Sequence, residues 1–476
     1  MEERGIQEEN MFKPNTLHTQ GCESQPEAPE VVINGIERVR QAAMKDKNLK
    51  FTSLMHHITP DLLWKSFMAI NRNAAPGVDG VLWDEYKENL DDNIMGLYAD
   101  IKAGAYRALP SRRQYIPKAD GKLRPLGIAS LEDKIVQRAV VEVLSAIYEV
   151  DFTDFSFGFR PNRGCHDALD LLYIDITQKK VNWILDADIQ GFFDAISHDW
   201  MIRFLEHRIA DPRMIRLIQQ WLKAGIMEES EWKSTDLGTP QGGSGSPLLA
   251  NVYLHYVLDL WVEVQKKEAR GEIHFVRYAD DFVVGFQYKD DAERFHRLLG
   301  ERLRKFDLTL HPTKTRLFEF GRFAAENRRR RGLKKPETFD FLGFTHICSL
   351  TRANRKFKLL RKTILKRRMA KLKSLGMELR KRINWSIKET GRWLKRVVTG
   401  YFNYYAVHDN LNILGSFRYH LGRLWMQTVR RRSHKAKMKW DKFVLIIDKW
   451  LPKPTLVHPY PNQRKHVGIQ LRSPVR

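Results

Sequence analysis

Two short apolar segments flank a pair of adjacent aspartates, and this arrangement restricts the possible folds more than any other feature of the sequence. The segments HFVRYA (274–279) and DFVVGF (281–286) have the length and the aromatic and β-branched content of β-strands. Since only a turn fits between them, they predict an antiparallel hairpin with Asp280 and Asp281 at its tip. Aspartate tolerates turn dihedrals, so the pair alone is equally compatible with an ordinary turn.

A third acid is predicted beside this pair from the segment WILDADI (183–189). Alternation along a strand puts Asp186 and Asp188 on one face, and a glycine and aromatic residues follow. A central strand that ends next to the hairpin would bring three carboxylates together. Two charges about 4 Å apart repel by roughly 4 kcal/mol at an effective dielectric near 20. Such a cluster is therefore tolerable only if it is protonated or neutralised by cations.

Magnesium is the cation that this donor set favours. The carboxylates supply hard oxygen ligands without Cys or His partners nearby, so Mg²⁺ is preferred over zinc. Two Mg²⁺ ions about 4 Å apart activate a 3′-hydroxyl and stabilise a leaving pyrophosphate. The carboxylates therefore indicate nucleotidyl-transfer chemistry.

The net charge predicts a polyanionic partner. The chain has 81 Lys and Arg against 57 Asp and Glu, which gives a formal charge of +24. Each Lys or Arg that contacts a nucleic-acid phosphate releases a condensed counterion, so a basic surface binds nucleic acid. The alternative is a basic protein without such a partner. Hydrophobic residues make up 43% of the chain, which is enough to fold.

Targeting signals, membrane segments and cysteine sites are not evident in the sequence. The acidic N-terminus does not fit a secretory signal, and no run of about 18 apolar residues suits a membrane span. We therefore expect a cytoplasmic protein that has no membrane contact. The cysteines at 22, 165 and 348 form no CxxC pair, which argues against a cysteine zinc site or a disulfide framework.

The composition changes along the chain and predicts four regions. Residues 1–50 lack sustained periodicity and are predicted to be a flexible lead-in. Short apolar strands alternate with amphipathic helices over 51–350, as in an α+β domain. Residues 355–450 are predicted to form a separate basic, helical domain, since 352–382 contains fourteen basic residues and one acid. A proline-rich tail, 451–476, follows.

The order of several short motifs resembles that of the reverse transcriptases encoded by group II introns. Each motif is weak alone, but the shared order is specific and covers about residues 70–450. The motifs are AAPGVDG (74–80), YRALPSRRQYIPKADGKLRPLGIASLEDKIVQRAV (106–140), FSFGFRPNRGCHDAL (155–169), DIQGFF (188–193), TPQGGSGSPLLANVYL (239–254), YADD (278–281), LHPTKT (310–315), FDFLGF (339–344) and RWLKRVVTGYFNYYAVHDN (392–410).

The resemblance implies a fold and a function. The fold is a right-hand polymerase, with fingers and an antiparallel palm sheet at 51–350 and an all-α thumb or maturase domain at 355–450. The function is RNA-directed DNA polymerisation, together with binding of a group II intron RNA and assistance in its splicing and mobility. The implied partners are the intron RNA, an RNA template, a DNA primer or target, and deoxynucleoside triphosphates.

Two other functions are compatible with part of this pattern. A splicing-only maturase would bind intron RNA without polymerising, but degenerate maturases lose the acids that this chain keeps. A defence-type or retron-type reverse transcriptase usually lacks the helices of the 392–410 motif, which this chain has. Many group II relatives continue into a DNA-binding segment and an HNH endonuclease. Only 26 residues follow residue 450, so we expect neither, and priming from a nick or a replication fork.

The resemblance also assigns the metal ligands. Two Mg²⁺ ions would be held by Asp188, Asp280 and Asp281, because the family ligand stands five residues before an aromatic, here Phe193. Asp186 is thereby excluded. The ring of Phe193 would block a ribose 2′-hydroxyl and select deoxynucleotides, and the alternative is a core aromatic.

Further motif residues are implied to bind the nucleotide. Lys118 and Arg124 would clamp its triphosphate, the arginine by bidentate contacts and the lysine as a point charge. Gln241 and Gly242 open a glycine-rich loop whose backbone can approach the nucleotide and template closely. Lys314 would donate a proton to pyrophosphate. Solvated surface charge is the alternative for the two lysines and for Arg124.

The primer and the RNA are implied to contact the C-terminal half. Phe341, Leu342 and Gly343 would form the primer grip, although they are equally compatible with core packing. Most of the aromatic residues at 401–405 are expected to pack the helices. The predicted RNA-binding residues are Arg328, Arg329, Arg330, Arg331, Arg361, Lys362, Arg367, Arg368, Lys395 and Arg396.

Overall fold

The computed structural model describes residues 30–117, 123–228, 231–234, 237–238, 242–432 and 438–461. The described residues up to 103 are mainly helical. The helices are α1 (Glu30–Lys45), α2 (Pro60–Met68), α3 (Trp83–Glu88) and α4 (Leu90–Ala103), with a 3₁₀ turn at Met55–His57.

A first sheet and a long helix follow. The strands are β1 (Ser111–Pro117), β2 (Leu123–Ile128), β4 (Ile226–Glu228) and β5 (Glu231–Lys233), in the order β2-β1-β4-β5. The β1–β2 and β4–β5 pairs are antiparallel, and β1–β4 is parallel. Helix α5 (Leu131–Asp151) begins after Ser130, whose side chain accepts a hydrogen bond from the Asp133 amide. Such a cap contributes about 1 kcal/mol.

A second, central sheet carries the acidic segments. It consists of β3 (Trp183–Asp188), β6 (Ile273–Tyr278), β7 (Asp281–Phe286) and β8 (Arg316–Glu319), in the order β6-β7-β3-β8 with antiparallel neighbours. Its connections are helical. They are α6 (Cys165–Gln178), α7 (Phe192–Ala195), α8 (His198–Glu206), α9 (Pro212–Lys223), α10 (Ser246–Leu254), a π-helical turn (His255–Asp259), α11 (Leu260–Glu268) and α12 (Lys289–Arg304).

The C-terminal part has a third sheet and four long helices. Helix α13 (Ala324–Arg330) leads into β9 (Phe339–Phe341), β10 (Phe344–Leu350) and β11 (Phe357–Thr363), which pair antiparallel in the order β11-β10-β9. The helices are α14 (Leu365–Lys381), α15 (Ile387–Tyr405), α16 (Leu411–Arg430) and α17 (Trp440–Trp450).

The central sheet separates two hydrophobic cores. Leu185 and Phe282 belong to a core with the N-terminal helices, α5 and α8 to α12. Ile184 and Val283, the neighbours of Leu185 and Phe282 on the same strands, belong to a core with α6, the third sheet and the C-terminal helices. Side chains alternate along a strand, so each face of the sheet packs against a different layer. The C-terminal helices thus share a core with the sheet.

The mixed α/β content, the antiparallel sheets and the helical C-terminal region agree with the fold class expected from the sequence. Two boundaries differ. Residues 30–45 of the expected lead-in form α1, because Val39 and Ala43, four residues apart, are buried. Residues 357–363 of the expected helical region form β11, in which Leu359, Arg361 and Thr363 alternate toward the interior.

Candidate active site

The central sheet brings the predicted acids to one edge. Asp188, the last residue of β3, is the direct antiparallel partner of Asp281, the first residue of β7. Asp280 lies in the two-residue turn between β6 and β7, because Tyr278 pairs with Asp281. Register places Asp186, Asp188 and Asp281 on the face of the sheet toward the C-terminal helices.

The electrostatics of this edge are those of crowded carboxylates. Burial, together with the charges of Asp280, Asp186 and Asp188, raises the pKa of Asp281 to about 8. Burial and the charge of Asp188 also raise the pKa of Asp280. A cation among these groups would offset the repulsion and favour their ionised forms.

The two acids of β3 have different basic partners. Nζ of Lys314 lies 2.6 Å from Oδ2 of Asp188, and the Arg316 guanidinium lies 3.1 Å from Oδ2 of Asp186. The loop that contains Lys314 is held there by the backbone, since the His311 amide donates to the Asp188 carbonyl at 2.8 Å. Lys314 therefore lies at the acidic edge, as a site lysine would.

The donor atoms of these side chains are all carboxylate oxygens, which fits a divalent cation such as Mg²⁺. Within the described ranges, no group of three or more His, Cys, Asp and Glu side chains already has the spacing of a metal site. The fit rests on the register of Asp188 and Asp281 and on the raised pKa of Asp281 among the neighbouring carboxylates.

The predicted nucleotide-binding residues are placed in part. Arg124 lies on β2, and its charge opposes the rise in the pKa of Asp280, so the first sheet faces the acidic edge. Gly242 has a φ of 113°, and a Cβ there would lie 3.0 Å from the Gly127 carbonyl oxygen, so the glycine loop lies against β2. Lys118 and Gln241 lie outside the described residues.

Phe193 lies two residues beyond Gly191, which has a φ of 57° and begins α7. The ring is half-buried and meets the ring of Phe192 edge to face at 5.3 Å. Phe192 itself is buried in the core. Phe192 therefore belongs to the core, whereas the Phe193 ring is partly exposed to solvent.

The predicted primer grip is the turn between β9 and β10. Leu342 and Gly343 have φ values of 45° and 84°, and Phe341 is buried in the core. The Tyr404 hydroxyl donates to the Leu342 carbonyl at 2.8 Å. A Cβ on Gly343 would lie 3.0 Å from the Tyr405 hydroxyl. These tyrosines of α15 were expected mainly to pack helices, and they also hold this turn.

One predicted RNA-binding residue needs correction. The Arg361 side chain is 1% exposed and lies 3.3 Å from Asp170 of α6, so it joins a strand to a helix and is removed from the RNA-binding set. It was chosen as part of a basic run, whereas period-two alternation in β11 turns it inward. Its neighbour Lys362 lies on the opposite face of β11 and is half-buried.

The other predicted RNA-binding residues lie at or near the surface. Arg330 and Arg331 pair with Glu326 and Glu319. The remainder are exposed or half-buried, and Arg367 also lowers the pKa of Asp281. They are Arg328, Arg329, Arg367, Arg368, Lys395 and Arg396.

Three residues near the acidic turn were not singled out from the sequence. Arg277, Asp259 and Asn251 are buried, and Arg277 donates hydrogen bonds to the other two side chains and to the Ala279 carbonyl. A charged residue at an inward position of an otherwise apolar strand was the available signal, because a buried charge requires a partner.

Comparisons with known proteins agree with this geometry. A family described as reverse transcriptase (RNA-dependent DNA polymerase) matches residues 116–346. The group II intron-encoded protein LtrA of Lactococcus lactis subsp. cremoris is 30% identical over 382 residues, which cover 77% of this chain and 63% of that protein. Protein YkfC of Escherichia coli (strain K12) is 34% identical over 275 residues, covering 51% of this chain and 72% of that protein.

A third relative is an uncharacterized 91 kDa protein in the cob intron of Schizosaccharomyces pombe. It is 38% identical over 223 residues, which cover 47% of this chain and 27% of that protein. The chain thus spans less than two thirds of LtrA. None of the helices in the described residues has the length and apolar character needed to cross a membrane.

Proposed function

Because this chain belongs to the family of group II intron-encoded reverse transcriptases and maturases, we propose that it synthesises DNA on an RNA template and binds the intron RNA whose splicing and mobility it assists. The observation that carries this proposal is the meeting of Asp188, Asp280 and Asp281 at one edge of the central sheet. Its partners are intron RNA, an RNA template, a DNA primer or target, and deoxynucleoside triphosphates.

In this proposal the layers of the molecule take the parts of a right-hand polymerase. The central sheet is the palm, and the N-terminal helices with the first sheet are the fingers. Helices α14 to α17 are the thumb or maturase domain. The shared core between the sheet and these helices would hold the thumb beside the acidic edge.

Asp188, Asp280 and Asp281 would hold two Mg²⁺ ions, which when bound supply activation of the primer 3′-hydroxyl and stabilisation of the leaving pyrophosphate. Arg124 lies on the first sheet, which faces the acidic edge. It would bind the triphosphate as a bidentate donor. Gly242 lets the loop backbone lie close to β2, and it would let that backbone approach the nucleotide closely. Lys314, which contacts Asp188, would give a proton to pyrophosphate.

Phe193 and the Leu342–Gly343 turn would orient the substrates on either side of the acids. The partly open ring of Phe193 would lie where a ribose 2′-hydroxyl enters. The turn, held by Tyr404, would support the primer terminus. The exposed basic side chains of α13, α14 and α15 would bind RNA phosphates.

Primer extension on an RNA template tests this proposal. Asp188→Asn and Asp280→Asn should each abolish Mg²⁺-dependent DNA synthesis, while RNA binding on filters stays unchanged. Asp186→Asn is the matched control, since Asp186 lies on the same strand and face but pairs with Arg316. It should retain most of the extension activity.

Two results would count against parts of the proposal. Substantial extension by Asp188→Asn or Asp280→Asn would contradict the metal assignment. A wild-type protein that promotes intron splicing yet extends no primer would favour the splicing-only alternative.

A further inference from the structure

Arg277 lies on β6, the strand that leads into the turn with Asp280, but its side chain is on the face opposite to Asp188 and Asp281. Its neighbours alternate, with Val276 in the core on the Asp188 side and Phe275 in the opposite core. The Arg277 side chain, on the Phe275 side, is fully buried. A buried guanidinium requires several hydrogen-bond acceptors from the protein. These acceptors therefore show which segments Arg277 connects.

The partners of Arg277 form a planar fork of hydrogen bonds. Its Nε and one terminal nitrogen bind the two oxygens of Asp259, at 2.8 and 2.5 Å. The other terminal nitrogen donates to the Asn251 side-chain oxygen at 3.0 Å and to the Ala279 carbonyl at 2.9 Å. Ala279 is the first residue of the turn that contains Asp280. One buried side chain therefore joins a helix to that turn.

The two polar partners come from one helical run. Asn251 lies on α10, and Asp259 is the last residue of the π-helical turn between α10 and α11. The extra residue of a π turn changes the direction of the side chains that follow it. Asn251 also donates to the Gly158 carbonyl at 2.7 Å. The helical run thereby contacts both segments that enclose the turn.

Gly158 and Ala279 show why the turn needs such support. Ala279 has a φ of 55°, which is unfavourable for a residue with a Cβ. A Cβ on Gly158 would lie 2.3 Å from the Ala279 amide nitrogen, so the two backbones are in close contact. The Phe157 amide also donates to the Arg277 carbonyl at 2.9 Å. The surrounding contacts hold the strained residue in one conformation.

We infer that Arg277, Asp259 and Asn251 are positioning residues, which fix the Ala279–Asp280 turn from behind and so set where the Asp280 and Asp281 carboxylates point. They touch no substrate. The inference rests on the proposed polymerase function. Displacing a reacting group by about 1 Å can reduce a rate by about 100-fold, so a loosened turn should reduce turnover more than substrate binding.

A neutral double variant separates positioning from stability. Arg277→Met combined with Asp259→Leu removes both charges, and such apolar replacement of a buried ion pair is often tolerated by the fold. We expect a melting temperature close to that of the wild type and an unchanged Kd for primer and template. We expect kcat to fall by about 10- to 100-fold, with a smaller change in the nucleotide KM.

Arg277→Lys gives a second, more conservative comparison. The lysine keeps a charge for Asp259 but lacks the planar fork that reaches Ala279 and Asn251 at once. It should lose less turnover than the neutral double variant. Hydrogen exchange of the amides in 276–284, measured by mass spectrometry on the protein alone, should be faster in both variants than in the wild type.

The control is another buried ion pair. Arg208 lies 3.0 Å from Asp151, and both side chains are nearly inaccessible. Arg208→Met with Asp151→Leu should leave kcat and the exchange of 276–284 unchanged. The inference is overturned if the Arg277 double variant keeps wild-type kcat and exchange, or if the control variant shows an equal fall in kcat and an equal rise in the exchange rate of 276–284. If the wild type extends no primer, the proposed function fails, whereas the exchange data still test the turn.

Discussion

Phe193 has two possible roles at the scale of a single residue, and its surroundings allow both to be tested. Its ring is half-buried, and Gly238, which precedes the glycine loop, lies so close to the Phe193 carbonyl oxygen that a Cβ on Gly238 would be 2.9 Å from it. If the ring occupies the space of a ribose 2′-hydroxyl, Phe193→Ala should greatly increase ribonucleotide use. Deoxynucleotide incorporation should fall only modestly. The ratio of the two rates in primer extension measures this.

Phe192 provides the control for this prediction. It is buried next to Phe193, so Phe192→Leu should lower the melting temperature without changing the nucleotide ratio. If Phe193 were a core residue, Phe193→Ala would lower the free energy of unfolding by about 3 kcal/mol and reduce both incorporation rates together. A constant ratio with a lowered melting temperature would therefore rule out selection by the ring.

The acids and the buried arginines show what could be foreseen at this scale. The proximity of Asp188 and Asp281 could be predicted, because the local sequence pattern places each of these residues at the end of a strand. The partners of Arg277 and Arg361 did not follow, since Asp259 and Asp170 lie on helical elements whose packing against these strands is not evident from local sequence. The sequence does not show whether a basic residue is exposed to solvent or paired in the interior. Only the tertiary packing distinguishes these two environments.

At the scale of an element, α14 is the helix whose charge predicts a measurable property. It carries Lys366 and Lys373 on its surface, and Glu378 is its only acid. Changing Lys366, Lys373 and Arg380, which are exposed on α14, to Gln should weaken RNA binding to a similar extent for all sequences. The slope of log affinity against log salt should flatten by about 0.7 to 0.9 for each phosphate that the variant no longer binds. Filter binding at several salt concentrations measures it.

Helix α12 offers a matched control with an equal change of charge. Two of its exposed basic residues are paired with its own glutamates, Lys289 with Glu293 and Arg297 with Glu301. Changing Lys289, Arg297 and Arg304 to Gln should leave the salt slope nearly unchanged. An equal flattening in both variants would mean that net charge, and not RNA binding by α14, determines the affinity.

Element boundaries were harder to predict than element types. Helix α1 was overlooked because polar, turn-forming residues precede it in the expected lead-in, and its buried positions matter only once α5 lies beside them. Strand β11 was assigned to a helical region because its basic residues conceal the alternation of Leu359, Arg361 and Thr363. Both errors arise because tertiary packing, and not local composition, decides which residues are inside.

At the scale of the whole molecule, the segment after α17 joins layers that are distant in sequence. His458 forms a parallel bridge with Val407, in the connection between α15 and α16, and its ring stacks on His166 of α6 at 3.5 Å. The Tyr460 hydroxyl donates to Asp409 at 2.7 Å, and its ring stacks on His408 at 3.9 Å. The segment therefore ties the helical region to a helix packed on the central sheet.

Tyr460 is the residue through which this tie can be tested. Its ring also stacks on Tyr173 of α6 at 5.3 Å, and Asp409 in turn binds Lys358 of β11 at 2.6 Å. Tyr460→Ala removes both the stacking and the hydrogen bond, whereas Tyr460→Phe removes only the hydrogen bond, worth about 1 kcal/mol. Helices less firmly held beside the sheet should release primer and template sooner.

We therefore expect Tyr460→Ala to shorten the products made in a single binding event, measured by primer extension with excess unlabelled competitor. The rate of the first nucleotide addition should stay unchanged, because the acidic edge is built from other elements. Tyr460→Phe should give products of intermediate length. Tyr419→Ala, at an exposed tyrosine of α16 outside this segment, should behave as the wild type. Product lengths that are the same for all four proteins would show that the tie does not contribute to retention of the nucleic acid.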